Sequence, residues 1–233
     1  DRLSEYGVKT AMHGLPTGIP LERFSGGNRQ SFRRQHGILS TRPVALFVGR
    51  VAHEKNIEFL LQALLHALKG RPDLLLVIAG EGPAMNDLQQ RVKTLKLQDS
   101  VQFIGYLDRQ QALPDCYASA DVFVFASLTE TQGLVLLEAM AAGLPVIALA
   151  EMGTRDILDP RRGAISPPNE AQAFGAALAD YLNRPSNWAA MRSEASRYAN
   201  EWSDVAMAGR LATLYQGLAS TKISPNMLST VRV

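Results

Sequence analysis

Two glutamates with seven residues between them are the side chains whose type and spacing first suggest chemistry. Glu130 lies in a polar loop after an apolar run, and Glu138 lies about two turns into a helix predicted to begin near Gly133. Along the helix axis alone, the carboxylates should be roughly 9 to 12 Å apart. Carboxylate pairs of glycosidases are about 5 Å apart in retaining enzymes and at most about 9.5 Å apart in inverting ones. The spacing therefore disfavours a hydrolytic pair and suits the two ends of an elongated, hydroxyl-rich ligand.

The predicted helix N-terminus between these acids offers free backbone N–H groups, which favour binding of an anion. The N–H groups are those of Gly133, Leu134 and Val135. A nucleotide-sugar fits this arrangement, with its hexose at Glu130, its diphosphate at the helix start and its ribose at Glu138. Spacing alone leaves a second interpretation equally open, in which Glu130 caps the helix and Glu138 is solvated.

Two cations, Arg50 and Lys55, occupy the loop that follows the apolar run 44–48. A diphosphate leaving group gains negative charge as its bond to the sugar breaks. An arginine can bind it with two parallel hydrogen bonds, and a lysine can act as a point charge. Taken alone, the two residues fit ordinary surface charge in a turn slightly better.

The elements that must position these loops alternate between strand and helix. Apolar runs predict strands at 44–48, 74–79, 101–104, 121–125 and 146–149, with a short edge strand at 164–166 and strand character at 8–15. Helical spacing of apolar residues predicts helices at 56–68, 84–95, 110–119, 133–142, 153–158, 169–182, 186–199 and 204–218. This alternation predicts an α/β fold with a doubly wound, Rossmann-like parallel sheet. Ligands of such sheets bind at the carboxyl ends of the strands.

The stretch 130–147, ETQGLVLLEAMAAGLPVI, closely resembles the E-x7-E signature of retaining GT-B glycosyltransferases, in particular the large family 4. The run 49–56, GRVAHEKN, resembles that family's G-R-[LF]-x-x-x-K-[GN] element. Two further runs, GEGP at 80–83 and VQFIG at 101–105, match its G-x-G-P and V-x-F-x-G elements. The resemblance covers nearly the whole chain and implies the C-terminal, donor-binding half of a GT-B fold.

The resemblance also implies roles for individual residues. Arg50 and Lys55 would bind the departing diphosphate and Glu130 the hexose, so these three are the expected catalytic residues. The remaining expected donor-binding residues are Gly49, Gly82, Ile104, Tyr106, Thr131, Gln132, Gly133, Leu134, Val135 and Glu138. For the turn at 80–83 a purely structural role is at least as well supported, and Tyr106 fits a rim position equally well. The implied reaction is front-face attack by an acceptor hydroxyl with retention, without a cofactor or a metal.

The domain organisation implied by the resemblance has three parts. Residues 1–43 would form the interdomain linker and lead into the donor half, 44–219 the nucleotide-sugar-binding domain, and 220–233 a flexible tail. An N-terminal acceptor domain is expected and is missing from this chain, so the chain should bind donor but transfer poorly or not at all. The Arg-rich segment 25–40 is interpreted as a solvated helix, with contact to an anionic acceptor or a membrane as the alternative.

Composition narrows the remaining choices. The chain is 46% hydrophobic and 20% charged, as in ordinary globular proteins, and its net charge of +2 is too small to favour nucleic acid. A single cysteine, Cys116, excludes an intrachain disulfide and a Cys-rich metal site. No apolar run reaches the roughly 18 residues of a membrane span. We expect a cytoplasmic protein with peripheral contact at the inner membrane face.

The predicted function is transfer of a hexose from a UDP- or GDP-sugar to an acceptor hydroxyl in glycolipid, lipopolysaccharide or exopolysaccharide synthesis. The expected partners are the donor, a sugar or lipid-linked acceptor and the N-terminal domain. One alternative is a GT-B epimerase or phosphorylase-like enzyme. The other is a non-catalytic module, derived from a glycosyltransferase, that binds nucleotides or docks a partner; the presence of both acids and both cations disfavours it.

Overall fold

A six-stranded, all-parallel sheet with strand order β3-β2-β1-β4-β5-β6 forms the centre of the protein. The computed structural model describes residues 2–220. The strands are β1 Val44–Val48, β2 Leu75–Ala79, β3 Val101–Gly105, β4 Val122–Phe125, β5 Val146–Ala148 and β6 Ala164–Ile165. Every strand predicted from residue 44 onward is present within about two residues of its predicted ends, so the predicted α/β fold with a doubly wound parallel sheet is confirmed.

Helices connect the strands and cover both faces of the sheet. In chain order they are α1 Arg2–Glu5, α2 Arg29–Gln35, α3 Ile57–Ala67, α4 Met85–Thr94, α5 Ala112–Ser119, α6 Leu134–Ala141, α7 Gly153–Leu158, α8 Ala171–Leu182, α9 Trp188–Asn200 and α10 Asp204–Ser220. Short 3-10 turns occur at Leu21–Arg23, His53–Lys55 and Pro185–Asn187. The predicted tail 220–233 lies, beyond the last residue of α10, outside the described residues.

The central strands are buried along their whole length because helices cover both of their faces. All residues of β2, β4 and β5 are buried, which is why these strands are apolar runs and not alternating ones. The edge strand β3 is only partly buried. Helix α3 buries Ile57, Leu60, Leu61 and Leu64, an i, i+3, i+4, i+7 pattern that places one face on the core.

The strand predicted at 8–15 is wrong. No strand forms there, and the segment is exposed along nearly its whole length. Val8 and Leu15 are both 38% exposed, so the segment has no buried face to hold it against a sheet. Regular contact with the domain begins later, where Ile19 pairs with Ser203 in an isolated parallel bridge.

The Arg-rich segment forms a helix as predicted, but the prediction that it is solvated is wrong for Arg33. The side chain of Arg33 is 3% exposed and lies 3.2 Å from Asp121, at the start of β4. Arg29 binds the other carboxylate oxygen of Asp121 at 2.8 Å. These two arginines are therefore committed to holding α2 on the sheet and are not free to bind an anionic acceptor or a membrane.

Within residues 2–220, none of the helices combines the length and the apolar character that crossing a bilayer requires.

Candidate functional site

Strands β2 and β3 lie on one side of β1, whereas β4, β5 and β6 lie on the other. The order of the strands therefore reverses between the neighbours β1 and β4, and the loops that follow these two strands leave in different directions. Such a switch point opens a crevice at the carboxyl ends of the strands. Side chains of each loop fasten the two loops together. Asn56 Nδ2 donates to the carbonyl oxygen of Ala126 at 3.1 Å, and Ser127 Oγ donates to that of Glu54 at 3.2 Å. The crevice therefore has a fixed floor.

A cavity of about 720 Å³ fills this crevice. The four charged residues predicted to bind a donor, Arg50, Lys55, Glu130 and Glu138, all line it. The other predicted residues in its wall are Gly49, Tyr106, Thr131, Gln132, Leu134 and Val135. Acids and cations that are up to 88 residues apart in the sequence therefore face one space.

Gly82, Ile104 and Gly133 were predicted in the same site but do not line the cavity. A Cβ on Gly82 would lie 2.3 Å from the carbonyl oxygen of Val51, so this glycine lets the loops after β1 and β2 approach each other. Ile104 is partly buried and packs against the core. Gly82 and Ile104 therefore serve the packing of the loops and of the core, and neither faces the cavity.

Gly133 sits immediately before α6 and sets the direction of that helix. Its backbone is left-handed, with φ 69° and ψ 26°, a conformation that glycine adopts without steric cost. Leu134 and Val135 follow in the first turn, where backbone N–H groups have no acceptor within the helix. Since both line the cavity, the positive end of α6 faces it.

Lys55 and Glu130 form an ion pair that spans the switch point. Lys55 Nζ donates to Glu130 Oε2 at 2.6 Å, and the two side chains are 22% and 20% exposed. Lys55 also lies 6.0 Å from the centre of the Phe125 ring. The pair joins the loop after β1 to the loop after β4 and places both charges at the same point of the cavity.

Arg50 is much more exposed than Lys55. Its guanidinium lies 3.8 Å from Glu54, four residues later, and its side chain is 66% exposed. A pair of this kind in solvent holds an arginine weakly. Arg50 is therefore able to reorient towards an anion in the cavity.

Glu138 differs from Glu130 because a buried hydroxyl holds it. The Tyr117 hydroxyl donates to Glu138 Oε2 at 2.9 Å, and Arg109 donates to Oε1 at 3.1 Å. Burial raises the pKa of Glu138 above its usual value, while the hydrogen bonds from Tyr117 and Arg109 and the charge of Arg109 act in the opposite direction. Burial also raises the pKa of Tyr117 far above its usual value, so the hydroxyl stays protonated and donates.

Sequence reasoning missed Arg109, Tyr117 and Glu81 near the site. Arg109 lies between β3 and α5, and its place after the carboxyl end of a strand was the only available signal. Glu81 lines the cavity and accepts a hydrogen bond from the Tyr106 N–H at 3.4 Å. Tyr117 carries no sequence signal, because it lies in α5, whose residues match no motif.

The segment before β1 also contacts the site. Gln132 Nε2 donates to Thr17 Oγ1 at 3.1 Å, across 115 positions of sequence.

Among residues 2–220, no cluster of three or more histidine, cysteine or acidic side chains is arranged to hold a metal ion. The expectation of a metal-independent reaction stays a prediction.

Comparisons with known proteins identify relatives of this chain. The family model described as "Glycosyl transferases group 1" matches residues 28–202. An alpha-monoglucosyldiacylglycerol synthase of Streptococcus pneumoniae is 40% identical over 64% of this chain and 34% of its own length. A GDP-mannose-dependent alpha-(1-6)-phosphatidylinositol monomannoside mannosyltransferase of Mycolicibacterium smegmatis is 31% identical over 92% of this chain and 58% of its own length.

Solved structures give the same picture of the fold. Sucrose-phosphate synthase of Thermosynechococcus elongatus superposes with a TM-score of 0.77 at 26% identity, covering 94% of this chain and 56% of that one. The HepE protein of Anabaena, solved with UDP and glucose, superposes with a TM-score of 0.74 at 22% identity, covering 85% and 55%. The predicted GT-B fold class is confirmed. The chain spans between about a third and three fifths of the length of these relatives.

Proposed function

Because this chain belongs to the family described as Glycosyl transferases, group 1, we propose that it is the donor-binding half of a retaining, metal-independent glycosyltransferase. The donor is a UDP- or GDP-hexose. The observation that carries the proposal is the shared cavity of Arg50, Lys55, Glu130 and Glu138 at the sheet's switch point. Two acids and two cations around one cavity suit a ligand with hydroxyl groups at its ends and a diphosphate in its middle.

The leaving diphosphate is stabilised by fixed positive charge. Lys55 supplies a point charge, Arg50 turns towards the phosphates, and the N-terminus of α6 adds backbone donors at Leu134 and Val135. Groups of this kind stabilise charge that develops in the transition state without reorganising at that moment. No step of this scheme requires a metal ion.

The hydroxyl groups of the donor bind the two acids. Glu130 accepts hydrogen bonds from the hexose and holds Lys55 beside the bond that breaks, since the two side chains are already in contact. Glu138 accepts hydrogen bonds from the ribose. As the bond between the anomeric carbon and the diphosphate oxygen breaks, the acceptor oxygen bonds to that carbon on the same face, which retains the configuration of the sugar. The proton of the acceptor hydroxyl passes to the departing diphosphate.

Among the possible acceptors we favour a lipid-linked one, because of the names of two relatives. The names of both curated relatives given above describe products built on a lipid, diacylglycerol in one case and phosphatidylinositol in the other. Such an acceptor would bring the protein to the cytoplasmic membrane face. We assign the acceptor site to a second, N-terminal domain, so the 233 residues alone should bind donor and show little or no transfer.

Calorimetric titration with UDP, GDP and the corresponding nucleosides tests the donor site. Arg50→Gln should weaken the binding of UDP and GDP by about 1.5 to 3 kcal/mol, the contribution of a hydrogen bond to a charged group. The binding of the nucleosides should remain nearly unchanged. The matched control is Arg184→Gln, because Arg184 is 62% exposed and pairs with an acid four residues away, Asp180, outside the cavity.

The control should bind all four ligands as the unchanged chain does. If Arg50→Gln lost equal affinity for the nucleosides and for the nucleoside diphosphates, Arg50 would have a structural role. Failure of the unchanged chain to bind UDP or GDP would favour the non-catalytic docking module.

A further inference from the structure

The contact between a buried tyrosine and the acid at the ribose end of the cavity has no part in the scheme above. Tyr117 is fully buried, and its ring packs edge-on against Phe24 and obliquely against Phe123. Packing on two sides holds the ring in one position. Its hydroxyl is the one polar atom of the side chain, and it donates to Glu138 Oε2.

The two oxygens of Glu138 consequently have different surroundings. Oε2 faces the buried hydroxyl of Tyr117, whereas Oε1 faces Arg109, whose side chain is 62% exposed. The buried partner cannot leave without repacking α5, but an exposed arginine can move aside. Oε1 is therefore the oxygen that Glu138 can offer to a ligand in the cavity.

We propose that Tyr117 is a positioning residue that holds the Glu138 carboxylate by Oε2 and thereby directs Oε1 to the ribose of the donor. This role rests on the proposed function, because it assumes that Glu138 binds ribose hydroxyl groups. Tyr117 itself does not line the cavity, so it would act on the ligand only through Glu138.

The charged and titratable groups that face Glu138 come from three elements. They are Tyr117 of α5, Arg109 of the loop between β3 and α5, and Arg23 of the turn Leu21–Arg23. Each favours the ionised carboxylate, against the burial that raises its pKa. Removal of the Tyr117 hydroxyl takes away a hydrogen bond to the ionised form and should therefore raise the pKa of Glu138 further.

Tyr117→Phe is the test, because phenylalanine keeps the ring and its packing. Its control is Tyr181→Phe, which deletes another buried hydroxyl, one that donates to the carbonyl oxygen of Asp121 away from the cavity. The carboxyl carbon of Glu138, identified with Glu138→Gln, is titrated by nuclear magnetic resonance in the chain without ligand. We expect the pKa of Glu138 to be higher in Tyr117→Phe than in the unchanged chain. In Tyr181→Phe we expect the pKa of Glu138 to stay as it is in the unchanged chain. An unchanged pKa, or equal changes in both variants, would overturn the proposal.

Ligand binding gives the second measurement. Tyr117→Phe should weaken the affinity for UDP about fivefold, the equivalent of one ordinary hydrogen bond. It should weaken the affinity for 2′,3′-dideoxyuridine diphosphate less than twofold. The acidic limb of the UDP affinity should also move to higher pH. Equal losses for both ligands would contradict a role directed at the ribose. If the unchanged chain binds no UDP or GDP, the proposed function fails, and the ligand-free titration still decides whether Tyr117 positions Glu138.

Discussion

At the scale of single residues, Glu138 illustrates the conflict between a binding site and a stable fold. Its side chain is 12% exposed, and ionisation in such a place is costly although Tyr117 and Arg109 both hydrogen-bond to it. The net result is a pKa above its ordinary value of 4.5. A carboxylate held ready for a ligand therefore destabilises the chain that carries it.

Glu138→Gln should make the chain more stable at pH 7. In the unfolded chain the carboxyl group ionises near its ordinary pKa, and in the folded chain it ionises at a higher pH. The folded protein therefore binds more protons between these two values, and its stability falls as the pH rises through them. Glutamine removes this loss, so the gain should be present at pH 7 and absent below about pH 4.

Urea unfolding at the two pH values measures this difference. Glu58→Gln serves as the control, because Glu58 is 49% exposed and pairs with Arg91 at the surface, where a substitution changes stability by about 0.5 kcal/mol or less. A Glu138→Gln chain that is less stable than the unchanged chain at pH 7 would refute the argument.

At the scale of elements, the start of α6 depends on a single backbone conformation. Gly133 is left-handed, and a Cβ there would lie 3.2 Å from Ile157 Cδ1 and from Thr154 Cγ2 of α7. The glycine therefore permits both the direction of α6 and its close packing on α7. The positive end of the helix faces the cavity for this reason.

Gly133→Ala should cost about 1 to 2 kcal/mol of stability, the penalty of a left-handed conformation for a residue with a side chain. It should also weaken the binding of UDP, because relief of the strain turns the first N–H groups of α6 away from the cavity. Urea unfolding and calorimetry measure the two effects.

Gly209→Ala provides the opposite control within α10. A Cβ at Gly209 would meet nothing within 4 Å, and alanine is the better helix former, so this variant should gain about 0.5 to 1 kcal/mol. Equal stability of the two variants would show that the left-handed backbone at Gly133 is not required.

At the scale of the whole molecule, Asp121 joins segments that are far apart in the chain. Its carboxylate binds Arg29 and Arg33 of α2, lies 3.8 Å from Arg192 of α9 and accepts the N–H of Val44 at the start of β1. Because Arg33 is buried, burial lowers its pKa, and Asp121 is the acid that compensates its charge.

Asp121→Asn should destabilise the chain by about 3 to 5 kcal/mol, because it leaves a buried guanidinium without a counter-charge. The matched control is Asp180→Asn, which breaks an exposed pair with Arg184 and should change stability by about 1 kcal/mol or less. Urea unfolding compares them. Losses of similar size would mean that hydrogen bonds to an uncharged amide are sufficient at position 121.

From residue 44 onward, the sequence by itself determined the strands, the helices and the edge of the sheet where the site lies; before residue 44 its predicted strand at 8–15 was wrong. Periodicity reports which faces are apolar, and the order of strand and helix leaves few arrangements of a parallel sheet. The motif residues Arg50, Lys55, Glu130 and Glu138 could therefore be assigned to one edge before any coordinates were known.

Only the tertiary structure decided which side chains meet. It paired Lys55 with Glu130 and Tyr117 with Glu138, and it buried Arg33 against Asp121. Each of these contacts joins residues at least 21 positions apart. Local periodicity reports the environment of a segment averaged over a face. It carries no information on which polar atom of a distant segment will lie within hydrogen-bond distance.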